Sequence, residues 1–242
     1  MNRIRVLLWD IDNTLLDFKA SGKTAIRKAF ESFDLGECSD EMIAEYSAIN
    51  DRYWQMLEKG IISRKQTQIG RFVEFFNNHQ IDTSLAESFN LCFQDHLPDT
   101  ICFMDDGYEI VRSLKGKVLQ CAASNGSLKV QERKLRASGL EQLLDLVFIS
   151  EELGVEKPGK EFFSHIFSKA ELWLKENEMN YQGPLQRKQI MIVGDSLTSD
   201  MKGGNNAGIV SCWYNPGKKN NDSDVIVDYE IHDLHEIYEI IQ

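Results

Sequence analysis

Apolar residues recur along this chain in two rhythms. Short, largely apolar runs at 6–9, 118–123, 146–149, 189–193 and 209–213 are too brief for helices and read as strands buried on both faces of a parallel sheet. A further short run at 225–227 offers another strand. Between them, apolar positions fall at helical spacing: Ala25, Ala29 and Phe33 within 18–33, Ile110, Val111 and Leu114 after Asp106-Gly107, and a helix over 128–135. Phe162, Ile166, Ala170, Leu172 and Leu174 follow Lys160, and 234–241 reads as a terminal amphipathic helix.

The stretch from Ser39 to His96 has a different texture, helical throughout and poor in strands. Met42, Ile43, Tyr46, Ile49, Tyr53, Trp54 and Leu57 mark one helix; Ile69, Phe72, Val73 and Phe76 mark a second beyond Gly60; Thr83-Ser84 opens a third. An aromatic stripe at this spacing, including Phe75, is helix-packing core, although a helical insert beside the first strand could also lend one or two aromatics to a substrate as a lid. Gly203 to Gly208 closes the helix after the fourth strand, 180–188 is a polar loop, and 216–224 has the composition of a locally disordered loop. Strands alternating with helices predict an α/β fold, a mostly parallel sheet with right-handed crossovers and helices on both faces.

Composition narrows the function. Hydrophobic content of 42% and charged content of 27% are those of a soluble globular protein. The 38 acidic residues outnumber 27 basic ones, for a net charge of -11. Nucleic-acid polymers and anionic membranes are therefore poor partners, whereas a small phosphorylated substrate is compatible if a metal ion and one or two cations reverse the field in one cleft. Five scattered cysteines with no CxxC pair predict reduced thiols in a cytoplasmic compartment, without zinc or disulfides. Asp10 and Asp12 interrupt the first apolar run, and no later stretch has the length to span a bilayer.

Candidate chemistry gathers where strands end. Ligands of open α/β sheets bind beyond the carboxyl ends of the strands, where Asp10 and Asp12 follow the first run, Ser124 the second and Asp195 the fourth. Residues two apart in an extended segment point the same way, so Asp10 and Asp12 could share one reacting centre; equally, such aspartates cap helices and shape turns, as Asn13 and Thr14 do. Ser124-Asn125-Gly126 suits an anion through its hydroxyl and backbone amides, or simply caps the next helix. Lys157, ahead of Pro158, is held out of helical conformation, which can present its ammonium at a fixed place. Gly22-Lys23-Thr24 resembles the end of a phosphate loop but has Asp17 where that motif needs glycine, so Lys23 reads as a solvated helix residue.

Taken in order, DIDNTL at 10–15, Ser124-Asn125-Gly126, Lys157-Pro158 and GDSLTSD at 194–200 resemble the four motifs of the haloacid dehalogenase (HAD) superfamily, over nearly the whole chain. The resemblance implies a Rossmann-like core of residues 1–17 and 100–242 with an inserted helical C1-type cap at 18–99. It implies catalysis by Asp10, Asp12, Ser124 and Lys157. Phosphate contacts would come from Ile11, Asp12, Ser124, Asn125 and Lys157, and Mg2+ would be held by Asp10, Asp195 and the Asp12 backbone carbonyl. Asp10 would attack phosphorus to form an aspartyl phosphate, and Asp12 would protonate the leaving oxygen and then take a proton from the hydrolytic water. Asp200 would order the metal's surroundings or Lys157, and Ser196 would do likewise or cap a helix.

Metal-free dehalogenases of that superfamily lack a carboxylate at the position of Asp12, so its presence favours a phosphatase. Sugar-phosphate phosphatases and phosphomutases share the motifs and stay open as alternatives, as does a binding module that has lost catalysis. Within the superfamily, residues 46–50, Trp54, 60–72, 149–158 and 203–215 are similar to pyrimidine 5'-nucleotidases. That similarity implies a nucleoside monophosphate as substrate and makes Asn50, Trp54 and Arg71 candidates for base or sugar recognition, with a packed core position the alternative for Trp54; no obligate protein partner is evident in the sequence. The chain departs from that pattern in its longer polar segment at 175–188 and in its tail loop.

Overall fold

The computed structural model describes residues 3–177 and 183–241. In chain order the elements are β1 (Val6–Trp9), α1 (Phe18–Ser32), α2 (Asp40–Glu58), α3 (Arg64–Asn78), α4 (Ala86–His96), α5 (Gly107–Leu114), β2 (Leu119–Ser124), α6 (Leu128–Ser138), β3 (Leu146–Ile149), α7 (Ser150–Leu153) and α8 (Lys160–Asn177). β4 (Ile190–Gly194), α9 (Lys202–Ala207), β5 (Val210–Tyr214), β6 (Tyr229–Ile231) and α10 (Ile237–Ile240) complete the chain. They form two compact units, Met1–Asp17 with Phe103–Gln242, and Phe18–Cys102.

The first unit is built on a six-stranded sheet of order β3-β2-β1-β4-β5-β6, every neighbouring pair parallel. β1 is central because its four residues are apolar and fully buried, and a strand covered on both faces has nowhere else to lie. Val6 and Leu8 join Leu119, Cys121, Ile190 and Ile192 against Phe162, Phe163, Ile166 and Ala170 of α8. The alternate residue Trp9 donates its indole N–H to Gln120, whose amide in turn donates to the Val111 carbonyl of α5. The strand order reverses between β1 and β4, so the crevice beyond their carboxyl ends is the expected ligand position of such a sheet.

The second unit is α1 to α4, held by a phenylalanine core. Phe30, Phe72, Phe75, Phe76, Phe89 and Phe93 are all buried, with Phe72 and Phe76 each 5.0 Å from Phe89 in edge contacts. Ser39 caps α2, and Ser63 with Gln66 forms a reciprocal capping box on α3.

Some expectations need correction. The strand lies at Tyr229–Ile231, not at 225–227: the Ile226 amide is bound by Asn205 Oδ1 and its carbonyl by Asn205 and Ser211, so side chains take the groups a ladder would need. Gly203 and Gly204 lie inside α9 rather than closing it. A Cβ on Gly203 would come within 2.6 Å of the Phe163 ring, and one on Gly204 within 3.1 Å of Ile192, so both permit close packing. Helix closure falls to Gly208, in the left-handed region at φ 70°. The terminal helix is a 3-10 turn, Leu234–Glu236, followed by the short α10. The loop at 216–224 carries no regular element, yet Asn215 and Asn221 anchor it through side-chain bonds to Lys219 and Val225. The polar loop expected at 180–188 lies in part outside the described residues.

Candidate active site

Parallel register brings the strand ends together. Trp9 pairs with Ala122 of β2 and Val193 of β4, so the residues that follow, Asp10, Ser124 and Asp195, emerge at one edge of the sheet. The Asp10 amide donates to the Val193 carbonyl at 2.9 Å, which fixes Asp10 beside the end of β4. Beyond it the chain turns sharply: Asn13 adopts φ 63°, and the Ile11 carbonyl accepts from the amides of Leu15 and Leu16. Thr14, fully buried, donates its hydroxyl to Asp10 Oδ2 at 3.3 Å.

Lys157 enters from the loop after α7 and is 1% exposed. Its ammonium donates to Asp10 Oδ1 at 2.7 Å, Asp200 Oδ1 at 2.7 Å and the Ala123 carbonyl at 2.6 Å, one acceptor for each proton. Asn125 fixes the loop, accepting from the Lys157 amide and donating to its carbonyl. Ser124, also buried, accepts from the Gly126 amide at 3.0 Å. Asp200 reaches Lys157 because Gly194 makes room: a Cβ there would lie 2.3 Å from the Asp200 carboxyl carbon. Ser196 is a cap, accepting from the Ser199 amide at the start of a π turn, Leu197–Met201, that sequence periodicity did not reveal. The Asp195 carbonyl accepts from the Trp213 indole N–H at 3.0 Å.

Burial pushes the Asp10 carboxyl up to about 7, with Lys157 pulling against the shift and Asp200 adding to it. Burial alone would pull the Lys157 ammonium down, but Asp10 and Asp200 together hold it above its usual value. Oxygens of Asp10, Asp195 and Asp200 lie within 4.8 Å of one another. Two of these carboxylates, Asp10 and Asp200, share the Lys157 ammonium, and an all-oxygen donor set of this kind suits a hard divalent cation such as magnesium. The cluster draws in Asp200, which the motif reading had assigned only to the surroundings of the metal or to Lys157, the latter being the contact observed.

The Asp12 carboxylate does not belong to that cluster. It turns to α6, where Gln131 Nε2 donates to Oδ2 at 2.6 Å and Lys134 forms an ion pair with Oδ1. Neither residue was singled out from the sequence. The available signal was two polar side chains, three apart, on the inward stripe that Val130 and Leu135 mark in α6.

In the helical unit, Asn50, Trp54 and Arg71 are neighbours. Arg71 is buried and donates to Asn50 Oδ1 at 2.6 Å and to Asn90 Oδ1 at 2.9 Å, while the Trp54 indole donates to Asn50 at 3.2 Å. The guanidinium also lies over the rings of Phe72 and Phe93, at 5.0 and 5.3 Å. Lys23 pairs with Asp40 at the surface, consistent with a solvated helix residue. Among the described residues no helix is long and apolar enough to cross a membrane.

YfnB of Bacillus subtilis (strain 168) is 32% identical over all of this chain and 97% of its own. A crystal structure of YfnB bound to magnesium superposes with a TM-score of 0.88 at 30% identity, covering both chains fully. PynA of Streptococcus pneumoniae (strain ATCC BAA-255 / R6), a pyrimidine 5'-nucleotidase, is 29% identical across 98% of this chain and 94% of its own. YjjG of Escherichia coli (strain K12), another pyrimidine 5'-nucleotidase, is 25% identical across 97% and 96%. The family model for haloacid dehalogenase-like hydrolases matches residues 7–214, from β1 through β5, and the chain belongs to that family.

Proposed function

We propose that this hydrolase is a magnesium-dependent phosphatase that cleaves phosphate monoesters through an aspartyl phosphate on Asp10, acting on pyrimidine nucleoside 5'-monophosphates. The observation that carries the reading is Lys157 joining Asp10 to Asp200 at the end of β1, beside Ser124 and Asp195. A phosphate dianion repels a carboxylate, so the site must gather positive charge before attack. Lys157 supplies one charge between nucleophile and phosphoryl group. Asp10 and Asp195, with the Asp12 backbone carbonyl, would hold Mg2+, which when bound adds the charge that keeps Asp10 ionised.

An Asp10 carboxylate oxygen forms a bond to phosphorus as the bond to the leaving oxygen breaks, and Asp12 gives that oxygen its proton. Water then attacks the same phosphorus, the bond to Asp10 breaks, and Asp12 takes the proton, releasing inorganic phosphate. The Ser124 hydroxyl and the amides of Ile11, Asp12 and Asn125 hold the phosphoryl oxygens. The helical unit, residues 18–99 in the motif reading, serves as a cap that selects the substrate. Nucleotide preference draws its support from the two nucleotidases to which the chain is similar.

The test is phosphate release from p-nitrophenyl phosphate with and without magnesium, followed by UMP, dUMP and dTMP beside a panel of sugar phosphates. Turnover of nucleotides that a chelator abolishes supports the reading. Far better turnover of sugar phosphates would replace the nucleotidase with a sugar-phosphate phosphatase, and no turnover of any ester would leave a binding module.

A further inference from the structure

We propose that Gln131 and Lys134 of α6 are positioning residues for Asp12, locking its carboxyl group in the orientation from which it exchanges a proton with the leaving oxygen. The inference rests on the role of Asp12 proposed above and extends it to two residues outside the four motifs. Asp12 is partly open to solvent, with its side chain 26% exposed, whereas Lys134 is only 1% exposed. A surface carboxylate ordinarily swings among rotamers. Here each oxygen is held by a different buried partner, Oδ2 by the Gln131 amide and Oδ1 by the Lys134 ammonium, which leaves the group one orientation.

Two further observations point the same way. The Gln131 carbonyl oxygen is buried without a hydrogen-bond partner. An orphaned buried acceptor is costly, and it arises here because the amide must present its NH2 to Asp12; the reversed amide would set oxygen against oxygen. Gly126 is the second feature. A Cβ at that position would lie 2.2 Å from Gln131 Nε2 and 2.8 Å from its Cγ, so the residue closing the Ser124-Asn125-Gly126 turn must be glycine for Gln131 to pass beneath it. The turn that carries Ser124 thus also admits the side chain that orients Asp12. Lys157, Asp10 and Asp200 form a separately bonded group, so the contacts of Gln131 and Lys134 with Asp12 are distinct from the ion pairs of the nucleophile.

Proton donation matters more the more basic the leaving oxygen, a dependence that general loss of structure does not imitate. Lys134→Met, Lys134→Arg, Gln131→Leu and Gly126→Ala would be assayed with magnesium on p-nitrophenyl phosphate and on phenyl phosphate, which have similar shape but leave as weakly and strongly basic phenolates. For Lys134→Met the loss in kcat/KM on phenyl phosphate is expected to exceed that on p-nitrophenyl phosphate by about tenfold, a modest part of what general acid catalysis contributes. Lys134→Arg should restore most of the difference, and Gly126→Ala should share the defect by displacing Gln131. If Lys134→Met does not fold by circular dichroism, Gln131→Leu and Gly126→Ala carry the same comparison. Equal losses on both esters would overturn the positioning role while leaving the phosphatase intact. A wild-type protein inactive on both would remove the phosphatase reading and this inference with it, and activity on aryl esters without activity on nucleotides would remove only the nucleotide preference.

Discussion

Lys157 and Asp10 stand 147 residues apart in sequence and 2.7 Å apart in space, joined through an ammonium with no open side. Because the other two protons of Lys157 go to Asp200 and Ala123, its position is set on three sides before any substrate arrives.

Replacing Asp10 with asparagine keeps the side-chain shape and removes the nucleophilic charge. Phosphate release should fall by at least about 1,000-fold while the far-UV circular dichroism stays unchanged. Retained turnover would exclude covalent catalysis at this residue.

Lys157→Met leaves two buried carboxylates facing one another. Breaking a buried pair in this way should lower unfolding stability by about 3–5 kcal/mol, read from urea denaturation of the metal-free protein. A smaller loss would mean that water reaches Asp10 and Asp200 once the ammonium is gone.

The raised Asp10 carboxyl predicts a pH dependence. In the unfolded chain it titrates near 3.8 and in the metal-free fold near 7, so between these values the folded protein holds a proton that the unfolded chain has lost. Stability must therefore fall as pH rises through that window. Asp10→Asn has no such group, so its melting temperature relative to wild type should climb by several degrees from pH 4 to pH 8 without magnesium. A flat difference would show that Lys157 cancels the burial cost.

Magnesium should raise the melting temperature of the wild type, with about 2.7 kcal/mol of added stability when its concentration is 100 times the dissociation constant. Asp195→Asn removes an oxygen donor of the cluster and should shrink that shift. Calorimetry at matched ionic strength separates this effect from general screening.

The elements most legible in the sequence are those with one physical requirement. A run such as 6–9 or 190–193, apolar on both faces, can only be a central strand, and the aspartate that follows must emerge at the sheet's carboxyl edge. Asp10, Ser124, Lys157 and Asp195 could be found from local order because each terminates an element or precedes a proline.

Other features depended on partners distant in the chain. The 225–227 run is as apolar as a strand needs, yet Asn205 and Ser211 claim its backbone, and the edge position passes to Tyr229–Ile231. The inward turn of Gln131 and Lys134 depends on where Asp12 lies, and the placement of Asp200 depends on a glycine in β4. The sequence by itself determined the alternation of strands and helices and the order of the chemical groups, since periodicity and chain-terminating residues are local. Only the tertiary structure decided which polar side chains turn inward to meet one another, because a buried charge takes its place from a partner that no local pattern encodes.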